Sequence, residues 1–297
     1  MKLSRTYAAT AAVLLLAGTL AACGEAGSEG DGESDVEVEV VENPDFPEGS
    51  TMAELAEAGT ITIGTKFDQP GLGFKSATAD TPVGFDVEMG KIVAGQLGIA
   101  EEDIVWEETI TDNREPFLEE DKVDIVLATY SITAERRAIV GQAGPYYVTG
   151  QQLLVAEDSD IAEPEDVSGQ EVCSVTGSTS IDTIEKEFDA TARGFGTYSE
   201  CVQQVLNGSF DAMTTDGAIL LGYAAENPDE LEVVGRVFSE ERYGIGYQDP
   251  EDTEMCKFLN DTIEQSYEDG SWEAAFESTL GEAEVETPEP PAVDPCK

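Results

Sequence analysis

Between Met52 and Gly281 of this 297-residue chain, short apolar runs of strand character alternate with helix-patterned segments. Thr60–Gly64 reads as a strand that follows the helical stretch Met52–Ala58. Ile104–Trp106 is a short strand and Val123–Ala128 a buried one; Gln170–Val175, Phe210–Met213 and Leu231–Val234 are further strands, with helices between them. Such alternation predicts an α/β fold with mainly parallel sheets. Sheets of that kind bind ligands beyond the carboxyl ends of their strands, so function is expected in the loops that follow. The span is long enough for two lobes or two small domains, and no internal repeat is visible.

Composition removes several classes of chemistry. The chain has no histidine, which excludes Ser-His-Asp and Cys-His nucleophiles and histidine metal ligands. No CxxC spacing and no EF-hand loop is present, so no metal and no cofactor is expected. Asp and Glu number 63 against 15 Lys and Arg, a net charge of −48. That balance excludes nucleic acid and a basic patch on anionic lipid, and predicts a surface kept soluble by its own repulsion. The first 22 residues begin with Lys2 and Arg5 and continue into an apolar run from Ala8 to Leu20, too short for a membrane span and arranged as a secretory signal. Leu20-Ala21-Ala22-Cys23 resembles a bacterial lipobox, which implies cleavage before Cys23 and a lipid on its sulfur. Without Lys2 and Arg5, 13 cations face 63 acids, a net −50. Residues 23–50 are acidic, rich in Gly, Ser and Val, and read as a flexible tether.

There are five cysteines. With Cys23 assigned to lipid, Cys173, Cys201, Cys256 and Cys296 remain, and an exported chain keeps disulfides. Three pairings are possible. The pairs nearest in sequence are Cys173–Cys201, a strand to a helix, and Cys256–Cys296, a helix to the acidic tail. Each such bridge should stabilise the fold by about 3–4 kcal/mol.

In so acidic a chain, cations just past strand ends stand out. Lys66 lies two residues beyond the strand ending at Gly64, and Arg136 follows Ala128 after Thr129-Tyr130-Ser131-Ile132-Thr133. An arginine fork binds a carboxylate bidentately, and Ser131 and Thr133 add hydroxyls. Balancing of neighbouring acids explains these cations equally well. Asp216, before Ala218–Leu221, reads as a helix N-cap. Gly84-Phe85-Asp86-Val87-Glu88-Met89, running on to Leu97, reads as a glycine turn entering an amphipathic helix with Phe85, Met89, Ile92, Val93 and Leu97 facing a core. Asp112-x-x-Glu115 has the form of a capping box.

The string from Gly84 to Leu97 resembles the signature of family 3 solute-binding proteins, the polar-amino-acid binders of ABC importers, and the likeness extends from about Met52 to Gly281. It implies a two-lobed, type II periplasmic-binding-protein-like fold, with two mixed, mainly parallel sheets joined by a two-strand hinge near Tyr146–Val155 and Tyr243–Tyr247. Lobe 1 is expected at 51–147 and 246–297, lobe 2 at 148–245. Ala128–Arg136 resembles the segment that clamps a ligand α-carboxylate, which implies Arg136 as the fork, Ser131 as a hydroxyl and N–H donor, and the Thr129 carbonyl as an ammonium acceptor. Arg137 doubles the arginine, and alignment to Thr133-x-x-Arg favours Arg136. The loop Val175–Ser180 resembles the lobe 2 anion site at a helix N-terminus, with Ser178 and Thr179 beside the carboxylate. Thr214–Gly217 resembles the strand end whose acid, here Asp216, takes the ammonium.

Lys66 and Arg114 occupy positions that resemble the side-chain end of the pocket in binders of acidic ligands. Ile63–Phe74, Cys173–Thr179 and Tyr243–Gly246 resemble glutamate-binding lipoproteins of actinobacterial importers, which carry a cysteine pair at positions like Cys173 and Cys201. The resemblance implies a monomer, held at the outer face of the cell membrane through lipid on Cys23. It would capture L-glutamate or a related acidic amino acid by lobe closure, and deliver it to a membrane permease served by an ATPase. The alternative is a cleft enzyme of dehydratase type using Asp216 or Glu135 as acid or base.

Overall fold

The computed structural model describes residue 36, residues 38–283 and residues 285–296. The expected signal segment 1–22, Cys23 and the start of the expected tether lie outside the described residues. Helix α1 (Thr51–Ala58) starts at Ser50, whose hydroxyl accepts from the Ala53 N–H, and stops at Gly59 in the left-handed region. It leads into strand β1 (Ile61–Thr65), a small hairpin of β2 (Asp68–Gln69) and β3 (Gly73–Phe74), and helix α2 (Phe85–Gln96). Then follow β4 (Ile104–Glu108), α3 (Arg114–Glu119), β5 (Ile125–Val126), β6 (Gly141–Thr149), β7 (Gln151–Ala156), β8 (Glu171–Val175), α4 (Thr179–Phe188) and β9 (Thr191–Phe195). The remainder is α5 (Tyr198–Leu206), β10 (Ala212–Asp216), α6 (Gly217–Glu226), β11 (Leu231–Val234), β12 (Glu241–Tyr247), α7 (Thr253–Asp269) and α8 (Ser271–Glu277).

The strands form two mixed sheets. The first has the order β4-β1-β5-β12-β6, with β1 parallel to both neighbours and β12 antiparallel to both of its own. The second has the order β11-β7-β10-β8-β9, with β8 parallel to both neighbours and β7 antiparallel to both of its own. In each sheet four of the five strands therefore point the same way, and one runs against them. The chain leaves the first sheet where β6 passes through Gly150 into β7, and returns from β11 into β12. The result is the expected two-lobed α/β fold. Phe85 holds the core of the first lobe together, with its ring 5.6–6.0 Å from those of Tyr146, Tyr147, Trp272 and Phe276. Such edge and tilted contacts add to the area these rings bury.

Two disulfides are formed, Cys173–Cys201 and Cys256–Cys296, each with Cα atoms 5.8 Å apart. The first joins β8 to α5. The second fixes the acidic tail to α7, and Asp294 of that tail receives Arg137 at 2.9 Å and Arg242 at 2.6 Å.

Several sequence expectations need correction. The tether is anchored from Val38 onward. Val41 N–H donates to Gly95 O at 2.9 Å and Phe46 packs edge-on against Phe258, so the few apolar residues of this stretch find a groove on α2 and α7. Helix α2 is not one-faced: every residue from Phe85 to Gly95 is buried, because β1, α7, α8 and this N-terminal stretch surround it. The capping box at Asp112 and Glu115 is not made. A 3-10 turn over Thr111–Asn113 enters α3 with no side-chain cap, and Glu115 turns to Arg136 instead. The strand read at Val123–Ala128 shrinks to Ile125–Val126, since Thr129 takes φ +46°. That read at Phe210–Met213 starts at Ala212 and runs on to Asp216.

Candidate functional site

The carboxyl ends of β1, β5, β8 and β10 meet between the lobes. The loop after β1 delivers Lys66, only 3% exposed, whose Nζ donates to Thr111 Oγ1 at 2.6 Å. Thr111 also presents its carbonyl to Arg114 Nε at 3.1 Å, and Arg114 Nη1 donates to the carbonyls of Ala128 and Thr129. The Arg114 guanidinium lies 4.5 Å from the centre of the Tyr130 ring, and that of Arg136 lies 5.1 Å from it. An aromatic ring that faces two cations relieves part of their repulsion. Arg136 donates to Ser131 O at 2.7 Å and reaches across to Gly177 O at 3.0 Å, while its Nε pairs with Glu115 at 3.4 Å.

Three buried cations, Lys66, Arg114 and Arg136, thus gather in the cleft, and the cost of burying the first two appears in their pKa values. Burial, then the Arg114 charge, brings the Lys66 ammonium down to about 7. Burial, then Arg136, brings Arg114 down to about 10. Beneath them lies Asp86, whose carboxylate accepts from Thr129 N–H and from the Tyr146 hydroxyl, both at 2.7 Å. Burial raises it to about 6 against the pull of those two bonds. The bond to Thr129 N–H holds that residue in its left-handed conformation, a strain of the kind that needs fixed partners.

A buried acid belongs to the same cleft. Asp216 ends β10 at the N-cap position of α6, yet its side chain makes no helix cap; it accepts from the Tyr243 hydroxyl at 2.6 Å. Burial, then the nearby Glu241 carboxylate, raises Asp216 to about 7. Glu241 itself accepts from the hydroxyls of Thr179 and Ser239, each at 3.1 Å. Ser178 precedes α4 without capping it, its hydroxyl 3.3 Å from that of Ser174.

One connected network therefore holds all eight residues singled out from the sequence: Lys66, Arg114, Thr129, Ser131, Arg136, Ser178, Thr179 and Asp216. Ser131 bridges to Tyr243, which holds Asp216, and Arg136 reaches the loop that carries Ser178 and Thr179. Two atoms already have partners: the Thr129 carbonyl receives Arg114, and the Thr179 hydroxyl is given to Glu241. Arg137 is not in the network. It donates to Gln142 O and pairs with Asp294 of the tail. Sequence reasoning missed Asp86, Thr111, Glu241 and Tyr243. Asp86 alone left a signal, an acid in the first turn of a helix whose other residues are mostly apolar. Among the described residues no group of three His, Cys, Asp or Glu is placed to hold a metal ion, and no helix is long and apolar enough to cross a membrane.

The sequence profile of the bacterial extracellular solute-binding proteins, family 3, matches residues 61–282. The chain belongs to that family. A family 3 relative, the glutamate-binding protein GluB of Corynebacterium efficiens, is 37% identical over 94% of this chain and 92% of its own length. The ABC transporter glutamine-binding protein GlnH of Bacillus subtilis is 30% identical over 90% of this chain and 94% of its own. Among solved structures, an ancestral amino acid-binding protein described as a precursor of cyclohexadienyl dehydratase superposes with a TM-score of 0.70 and 31% identity, covering 78% of this chain and 100% of that one. The family 3 fold accounts for both sheets and for the cleft between them.

Proposed function

We propose that this chain is the substrate-binding component of an ABC amino-acid importer and that it captures L-glutamate, or a closely related acidic amino acid, between its lobes. One observation carries the reading: three buried cations, Lys66, Arg114 and Arg136, share the cleft with buried Asp216. A zwitterion with a second carboxylate complements that layout. Arg136, Ser131 and the N–H groups at the start of α4 take the α-carboxylate, Asp216 takes the ammonium, and Lys66 with Arg114 takes the γ-carboxylate. The glutamate specificity of the Corynebacterium relative supports the assignment. Lobe boundaries at 147/148 and 245/246, a lipid on Cys23, a location at the outer face of the cell membrane, a monomeric state and a permease with its ATPase complete the proposal. A ligand that touches both lobes favours the closed form through its differential affinity.

The chain is read as a binder and not as an enzyme. Tyr243 already donates into Asp216, and Glu135, the other acid available to a dehydratase, is exposed. Calorimetric titration of the chain from Cys23 onward with L-glutamate, L-glutamine and L-aspartate tests the proposal. Glutamate is expected to bind with a Kd at or below about 1 μM, an affinity of about 8 kcal/mol. Arg136→Ala should weaken all three ligands, and Lys66→Ala should weaken glutamate selectively. No heat with any of them, from folded protein stripped of ligand, would sink it.

A further inference from the structure

Helix α5 carries its own capping box. The Thr197 hydroxyl accepts from Glu200 N–H, and the Glu200 carboxylate accepts from the N–H groups of Gly196 and Thr197. Those bonds leave the next two donors of the helix start, the N–H groups of Tyr198 and Ser199. Both go to Asp68, whose Oδ2 lies 2.8 Å from Tyr198 N and 3.3 Å from Ser199 N. Asp68 belongs to the β2–β3 hairpin, which is joined to α2 of the first lobe through Asp86 N–H to Leu72 O. Helix α5 belongs to the second, where Cys201 ties it to β8. A second group makes the same crossing: the Tyr223 hydroxyl, on α6, donates to the Asp68 main-chain carbonyl and lies 3.3 Å from its carboxylate. A helix start is thus half capped by its own lobe and completed by the other. Carboxylates at that position are favoured by the unpaired N–H groups and by the helix dipole.

We infer that Asp68 is a closure latch, a residue that stabilises the closed arrangement through protein–protein bonds alone and so positions the lobes for capture. The inference rests on the importer reading, since it is capture that makes closure matter. Its partners are Tyr198, Ser199 and Tyr223, none of them among the residues assigned to the ligand. Separation of the lobes breaks these bonds together. The latch therefore shifts the open–closed equilibrium by one factor for every ligand, and affinity follows the population of the closed form.

Titration of the parent chain, Asp68→Ala and Asp68→Asn with L-glutamate and L-glutamine, together with small-angle scattering and thermal melts of the unliganded proteins, tests it. At about pH 5.5, where Lys66 is charged with or without the Asp68 carboxylate that raises its pKa, Asp68→Ala is expected to weaken both ligands by the same factor, about 5- to 30-fold, the range that loss of a helix cap gives. Asp68→Asn, which keeps an acceptor, should recover part of that loss. The unliganded melting midpoint should stay within about 2 °C, because open and closed forms are both populated without ligand and the open form, which lacks these bonds, remains folded. Unchanged affinity in Asp68→Ala overturns the latch. Weakening of one ligand only does so too, since Asp68 would then read the ligand. A midpoint that falls in step with affinity also overturns it, as it marks a role inside one lobe. A parent that binds no amino acid defeats the importer reading instead. The latch is then judged by scattering alone, where Asp68→Ala must be less compact than the parent and an identical profile overturns it.

Discussion

Lys66 and Asp216 belong to the same cleft and have pKa values both near 7, one lowered and the other raised. Their opposite signs give a testable pH signature. A ligand carboxylate beside Lys66 favours its charged form and raises its pKa, so at pH 8, where the free side chain is mostly neutral, binding takes up a proton. A ligand ammonium beside Asp216 favours its charged form and lowers its pKa, so at pH 6, where the free side chain is mostly neutral, binding releases one. Calorimetry in buffers of different ionisation enthalpy should show net uptake at pH 8, net release at pH 6 and a sign change between. Lys66→Ala should lose the uptake and keep the release. Single residues also mark how far a sequence can be read. Lys66 and Arg136 stood out as cations in an acidic chain, and it was the family resemblance that favoured Arg136 over Arg137. Partners that hold these side chains lie 40 or more residues away, such as Thr111 for Lys66 and Gly177 for Arg136, and spacing carries no record of those.

Elements were legible where their pattern is local and less so where tertiary contact sets their limits. Strand β1 and helix α1 follow from short-range signals, whereas the cysteine count left three pairings open and the fold makes one of them. The ends of β5 and β10 do not follow from such signals, because a left-handed Thr129 cuts one and the ladder to β7 extends the other. Helix α2 looked one-sided because its polar residues were taken as solvated, whereas Asp86 and Lys91 are buried with ionic and hydrogen-bonded partners. Its entry depends on Gly84, at φ +126°, where a Cβ would lie 2.4 Å from the Leu72 main chain. Gly84→Ala is expected to cost about 3 kcal/mol, through backbone strain and displacement of the β2–β3 hairpin. Denaturant unfolding that shows less than about 1 kcal/mol of loss would mean that the hairpin yields easily.

At the scale of the whole molecule, charge outweighs every other compositional feature. With 63 acids against 15 cations, the folded chain repels itself at low ionic strength more than the expanded one does. Part of the scarce positive charge is spent inside the cleft and at the tail, where Arg137 and Arg242 hold Asp294. Raising NaCl from about 0.05 M to about 1 M, which shortens the screening length to about 3 Å, should lift the unliganded melting midpoint by several degrees. A flat or falling midpoint would show that specific pairs outweigh the general repulsion.

Strand β12 fills the gap between β5 and β6, yet it is preceded in the chain by every strand of the second sheet. A chain made from its N-terminus therefore finishes its lobes out of order. When residues through Val234 have emerged, β7 to β11 are all present and can pair. The older first sheet still lacks its fourth strand and exposes the facing edges of β5 and β6. Open edges of that kind invite pairing with other chains. The period of greatest aggregation risk thus falls late in synthesis, in the interval before residues 241–247 arrive, and it is the N-terminal half that bears it.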